Sequence, residues 1–231
     1  MYKNKKILAI IPARGGSKGI KLKNLRKINN ISLIGHVGKL IKKLRFIDLS
    51  VVSTDNDKII KESLKYNLRI FFKRPKNLSG DKVSDYAVMR HALLQAENKM
   101  KVNFDIVLLL QPTSPLRKPK DIINVLDIII KNRYDSVWSI SPINLKYHFT
   151  KQLIKKGNKL FFAHRKGPKI IARQQLKETY FRNGVAYAFT RNCLLRKRKI
   201  LTYNSGFYFM KSKQISIDTL EDIKEVKKYL F

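Results

Sequence analysis

Cysteine is almost absent from this chain. Cys193 stands alone in 231 residues, which excludes an intrachain disulfide and a cysteine-built zinc site and suits a reducing compartment. Its plainest role is a small apolar filler rather than a nucleophile. Carboxylates are scarce as well: 16 Asp and Glu face 50 Lys and Arg, a formal net charge of +34. Taken alone, that excess would suggest a nucleic acid or an anionic membrane as partner. The cations are nevertheless spread over the whole chain rather than gathered in a tail or a recognition helix. No zinc-finger, KH or RRM signature accompanies them. Heavy use of Lys, Ile and Asn throughout, as from a background residue bias, accounts for the charge better than specific nucleic-acid binding. Nonspecific affinity for polyanions is expected at low salt. Long apolar runs are also lacking, and none approaches the roughly 18 residues of a membrane helix. The opening MYKNKKILAIIPARGG has too short an apolar stretch for a signal peptide and no small-residue cleavage site. A soluble, cytoplasmic protein with no membrane partner is expected. Internal repeats and low-complexity linkers are absent.

What is present is a hydrophobic fraction of 44%, ordinary for a globular core despite 29% charged residues. The length fits a single domain over 1–231. Apolar strands alternate with amphipathic helices, which predicts an α/β fold: a Rossmann-like, doubly wound and mostly parallel sheet. Strands are expected at 7–11, 47–53, 68–73 and 104–110, the last buried and central. Helices are expected behind Ser32, over 57–66, behind Ser84 and over 121–130. After 135–141 the regularity weakens, and 142–183 is basic, aromatic and irregular. Strand character returns in GVAYAFT and GFYFM, and Thr219 with Asp222 forms a capping box for a last helix carrying Ile223, Val226 and Leu230.

The stretch IIPARGGSKGIKLKNL, residues 10–25, carries the clearest chemistry. An apolar strand ends in a glycine-rich loop whose Arg14, Lys18, Lys21 and Lys23 supply positive charge. Backbone N–H groups of such a loop can cradle phosphate oxygens. The spacing fits neither a Walker loop nor a dinucleotide fingerprint. Ligands of open α/β sheets bind beyond the carboxyl ends of the strands. This loop, STD at 53–55 and QPTSPLR at 111–117 each follow a strand, so three loops are expected to converge on one sheet edge.

ARGGSKGIKLKNL resembles the N-terminal signature of the acylneuraminate (CMP-sialic acid) cytidylyltransferase family. STD, RP at 74–75, LLLQPTSPLR at 108–117, ARQQL at 172–176, RNG at 182–184 and SIDTLED at 216–222 are similar to its further blocks, in the same order over nearly the whole chain. The resemblance implies a nucleotide-diphospho-sugar transferase type of fold and transfer of CMP from CTP to the anomeric hydroxyl of a nonulosonic, sialic-acid-like sugar acid. It implies that Arg14 and Lys23 bind the triphosphate with Ser17 and Asn24 beside them, and that Arg74, Ser84, Gln111 and Arg117 are further nucleotide contacts. Arg173, Gln174 and Asn183 match the sugar-binding blocks, an arginine fork suiting a planar carboxylate. Mg2+ is expected as cofactor with Asp218 as its ligand. Here the chain departs from the family's Ile-Asp-Ile-Asp: Ser216 stands at the first aspartate position. Arg182 is displaced by one position from the family arginine, so the sugar is not fixed. The family also implies a homodimer through 143–182, with Arg165 and Lys166 acting across it. His148 and His164 show no metal-like spacing. Another 2-keto acid such as 3-deoxy-manno-octulosonate, another base, or a basic nucleic-acid-binding protein on the same scaffold are the alternatives.

Overall fold

The computed structural model describes residues 1–230. The chain divides into two units, the first Met1–Ser139, Asn183–Tyr208 and from Gln214 onward, the second Ile140–Arg182 with Phe209–Lys213. In chain order the first half runs β1 (Ile7–Pro12), β2 (Lys27–Ile28), β3 (Ile31–Ser32), α1 (Leu33–Lys42), β4 (Leu49–Ser53), α2 (Asp57–Leu64), α3 (Asp85–Met100), β5 (Ile106–Leu109) and α4 (Pro119–Lys131). The second half runs β6 (Ser136–Pro142), β7 (Leu153–Lys156), β8 (Lys159–Phe162), β9 (Tyr180–Thr190), α5 (Arg191–Leu195), β10 (Ser205–Phe209) and α6 (Leu220–Lys227). Six strands form one sheet in the order β10-β6-β9-β5-β1-β4. β1 pairs parallel with both β4 and β5, while β9 lies antiparallel against β5. The expected doubly wound α/β architecture is what the chain adopts.

The core explains why these segments take these forms. Ile7 to Ile11 and Ile106 to Leu110 are buried without alternation, as strands covered on both faces must be. Helix starts follow local side chains. Ser32 Oγ accepts from Gly35 N at 3.1 Å to open α1, Asn56 Oδ1 from Lys58 N at 3.0 Å to open α2, and Ser84 Oγ from Ala87 N at 3.3 Å to open α3. In α6 the capping box is complete: Thr219 Oγ1 accepts from Asp222 N at 3.2 Å, and Asp222 Oδ2 accepts from Thr219 N at 2.7 Å. Cys193 is a buried filler, its Sγ donating to the Lys199 carbonyl at 3.1 Å and its thiol pushed up to about 11 by burial.

The strand expected at 68–73 is not formed. Only an isolated parallel bridge joins Arg69 to Val51. Phe71 and Phe72 both pack against the same core cluster as Met89 and Leu93, and consecutive residues of a strand would face opposite sides. The strand beginning expected at 47 starts instead at Leu49, and the helix expected to reach 66 ends at Leu64.

The second unit is not wholly irregular. β7 and β8 form an antiparallel hairpin. Its Leu153, Leu160, Phe161 and Phe162 are exposed. His148 Nδ1 meets Thr150 Oγ1 at 2.8 Å, and Phe149 lies between the rings of His148 and His164. Gln175 Oε1 accepts from Ile171 N at 2.8 Å and Ala172 N at 3.0 Å, which fixes the turn carrying Arg173 and Gln174.

Candidate functional site

Within the first unit the motif loops are tied together one to the next. Gly15 N donates to Asp55 Oδ1 at 2.8 Å, joining the loop after β1 to the STD segment after β4. Asn24 Nδ2 donates to the Arg14 carbonyl at 3.0 Å, which folds the glycine-rich loop back on itself. Lys23 Nζ then donates to the Ile217 carbonyl at 2.8 Å and to Asp218 Oδ1 at 2.7 Å, fastening that loop to SIDTLED. Gly19 makes the same junction possible: a Cβ there would stand 2.6 Å from the Asp218 carbonyl oxygen. From SIDTLED the connection continues through Ile217 N to the Thr113 carbonyl at 2.8 Å, inside QPTSPLR. From there Arg117 donates to the carbonyls of Val185, Gln111 and Gly184, and Ser114 Oγ to that of Asn183. The convergence expected of three loops is thus observed, with two further segments added to it.

Arg14 and Lys18 form the cationic part of this edge. Arg14 Nη2 meets Asp81 Oδ1 at 2.8 Å and Lys18 Nζ meets Asp81 Oδ2 at 2.6 Å. Lys18, with Arg14 beside it, holds the Asp81 carboxyl below the usual carboxylate range. Arg74 is buried beneath the loop, its Nε donating to Ser53 Oγ at 2.9 Å and its Nη2 to the Ser53 carbonyl. Desolvation pushes its guanidinium down to about 10, with Asp55 opposing that shift and Arg14 adding to it. Arg117 is buried too, and desolvation lowers it to about 9. Both remain cationic near neutrality, so each is a fixed positive charge inside the structure.

The residues expected at the site fall into three groups. Arg14, Ser17, Lys23, Asn24 and Gln111 belong to the tied loops. Asn24 is buried, and Ser17 and Gln111 are half-buried. Arg74, Ser84 and Arg117 are engaged by the protein itself, Ser84 as the α3 cap and the two arginines by Ser53 and by three backbone carbonyls. Asn183 is buried, its Oδ1 accepting from Ser139 Oγ at 2.6 Å. Gly184 beside it has φ +73°, and a Cβ there would stand 2.7 Å from Ser114 Oγ, so glycine alone suits the RNG turn. Arg173 and Gln174 are exposed on the second unit.

Two carboxylates that fasten the loop were not read as site residues from the sequence. Asp55 lay in a motif whose aspartate had no assigned task. Asp81 lay in a Gly-Asp-Lys turn with no motif, and its one signal was the scarcity of acids in so basic a chain.

The carboxylates available to a cation are few. Asp218 is exposed and meets Lys23, Ser216 is exposed two residues earlier, and Asp222 is occupied by the N–H groups of Asp218 and Thr219. Those N–H groups hold Asp222 below the usual range against the opposing effect of burial. Among the described residues no group of three or more His, Cys, Asp or Glu could hold a metal ion. A donor set of one carboxylate fits a largely hydrated Mg2+ shared with a phosphate ligand rather than a cation caged by protein.

Residues 8–230 match the family model described as Cytidylyltransferase. The chain is 33% identical over 222 residues to post-translational flagellin modification protein B of Campylobacter coli, covering 96% of this chain and 93% of that protein. It is 32% identical over 222 residues to CMP-N,N'-diacetyllegionaminic acid synthase of Campylobacter jejuni, with the same coverage. In fold it is similar to a CMP:2-keto-3-deoxy-manno-octonic acid synthetase complexed with CTP, at TM-score 0.72 and 16% identity over 97% of this chain and 98% of that one. The family expected from the motifs is borne out: this chain belongs to the cytidylyltransferase family.

Proposed function

We propose that the protein transfers CMP from CTP to the anomeric hydroxyl of a nonulosonic sugar acid and releases pyrophosphate. The observation that carries this reading is the joining of the glycine-rich loop to Asp218 through Lys23, with Arg14 and Lys18 on the same loop. The legionaminic acid named in one relative supports an acid of the nonulosonic class.

In the reaction the sugar hydroxyl oxygen forms a bond to the α-phosphorus as the bond from that phosphorus to the pyrophosphate oxygen breaks, and the hydroxyl proton is released to solvent. No covalent intermediate with the protein is needed, so the catalytic contribution is positioning and charge stabilisation. Arg14 binds the triphosphate from one side of the loop. Lys23, mostly shielded from solvent at 15% exposure, places a fixed ammonium where charge develops. Asn24 sets the loop through the Arg14 carbonyl, and Gln111, Arg74 and Ser84 line the nucleotide side. Asp218 would hold Mg2+, which when bound supplies neutralisation of the triphosphate charge. Arg173 and Gln174 are proposed as sugar contacts, and a homodimer through the exposed hairpin completes the proposal, in a cytoplasmic protein.

The test is an omission assay. Pyrophosphate should be released only when CTP, magnesium and a sugar acid are all present, with a panel of nonulosonic acids and 3-deoxy-manno-octulosonate naming the acceptor. Turnover restricted to 3-deoxy-manno-octulosonate would replace the proposed sugar class. Turnover with none of the acids would remove the reading.

A further inference from the structure

Asp81 is the carboxylate that touches Arg14 and Lys18 of the glycine-rich loop, as Asp218 touches its Lys23. Asp55 is bonded to the backbone N–H of Gly15 and so fixes the path of the loop rather than its charge. Asp81 instead divides its two oxygens between Arg14 Nη2 at 2.8 Å and Lys18 Nζ at 2.6 Å. The arrangement repeats in miniature what a phosphate would do there, one anion with separate oxygens on two cations.

Three physical points follow. Without Asp81, Arg14 and Lys18 would face each other unneutralised in a chain of net charge +34. A carboxylate left on both cations would stand against the phosphates of an arriving nucleotide, like charge on like charge, so the two anions compete for one place. The Asp81 side chain is 39% exposed, so it already borders the water into which it would withdraw.

We propose that Asp81 is an internal counter-anion that gathers Arg14 and Lys18 in the empty loop and is exchanged for the triphosphate when CTP binds. The inference rests on the proposed use of this loop by CTP. Asp81 sets nucleotide affinity through the two cations it holds and takes no part in the bond changes.

Binding of CTP, without magnesium, to the full chain by calorimetry at low and at high salt tests this, using wild type, Asp81→Asn and Asp81→Glu. Asparagine keeps the shape and removes the charge, so it should bind CTP about threefold or more tighter at low salt, the scale expected for exposed ion pairs. That advantage should shrink at high salt, because the freed cations are then screened by dissolved ions. Glutamate, which restores the charge, should return both affinity and salt dependence towards wild type. Unchanged or weaker binding by folded Asp81→Asn, or tighter binding that Asp81→Glu shares, would overturn the exchange while leaving the nucleotide site standing. Failure of the wild-type chain to bind CTP would remove the reading of the loop, and the exchange with it.

Discussion

Ser216 and Asp218 are both exposed, while Ile215 and Ile217 are buried, so burial alternates along this segment and the two polar side chains share its open side. Lys23 reaches the same point and holds Asp218 Oδ1 at 2.7 Å. A serine at 216 leaves one carboxylate where two would bind a hard cation more tightly. Asp218→Asn should therefore abolish turnover at ordinary magnesium concentrations. Ser216→Asp should lower the magnesium concentration needed for half-maximal turnover by adding a second anionic oxygen. A magnesium titration of turnover in the two variants measures both, and wild-type dependence in either places the cation elsewhere.

At the scale of the element, α6 matters because its cap adjoins the residue proposed for the metal. Asp222 accepts from the N–H groups of Asp218 and Thr219, so the same carboxylate starts the helix and holds the backbone of residue 218. Thr219→Ala should cost about 1 kcal/mol of stability. Because the folded carboxyl of Asp222 is depressed, its contribution is present above the unfolded value of about 3.9 and is lost as pH falls through the lower folded value. Asp222→Asn should accordingly lower the melting temperature at pH 7, with the deficit closing in acid below that folded value. A deficit that persists unchanged there would show that shape rather than charge is at work.

The elements themselves were legible wherever a side chain near a helix start or an unbroken apolar run decided them, as with Ser32, Ser84, Thr219 and Ile106 to Leu109. The segment 68–73 has two phenylalanines that look like strand residues, and only the core reveals that both pack against one cluster. Likewise the motif positions could be found from residue type, whereas the partners of Arg14 could not. Asp81 lies far along the chain in a turn without periodicity, and an ion pair between distant segments leaves no mark on local sequence. The buried state of Arg74 and Arg117 was hidden for a related reason: arginine is read as a surface residue until its carbonyl partners are seen.

For the whole molecule, the apolar hairpin is the most consequential surface. Leu153, Ile154, Leu160, Phe161 and Phe162 are exposed between two fifths and two thirds, on a two-stranded element too small to be stable on its own in water. Sedimentation at micromolar concentration should find a homodimer, and Phe161→Glu with Leu160→Lys should shift it towards monomer. A fully active strict monomer would end the proposal of a shared interface. No helix among the described residues is long and apolar enough to cross a membrane.

The bond between Lys23 and Asp218 spans 195 positions of the chain. A loop that closes only across such a separation forms late, since chain entropy must be overcome before the contact stabilises anything. A growing polypeptide emerges from its first residue, and its domains fold as units during synthesis. The glycine-rich loop is made before residue 218 and has no carboxylate for its lysine until that residue has left the ribosome. A chain interrupted between residues 25 and 217 therefore carries the motif without the partners that hold its lysine.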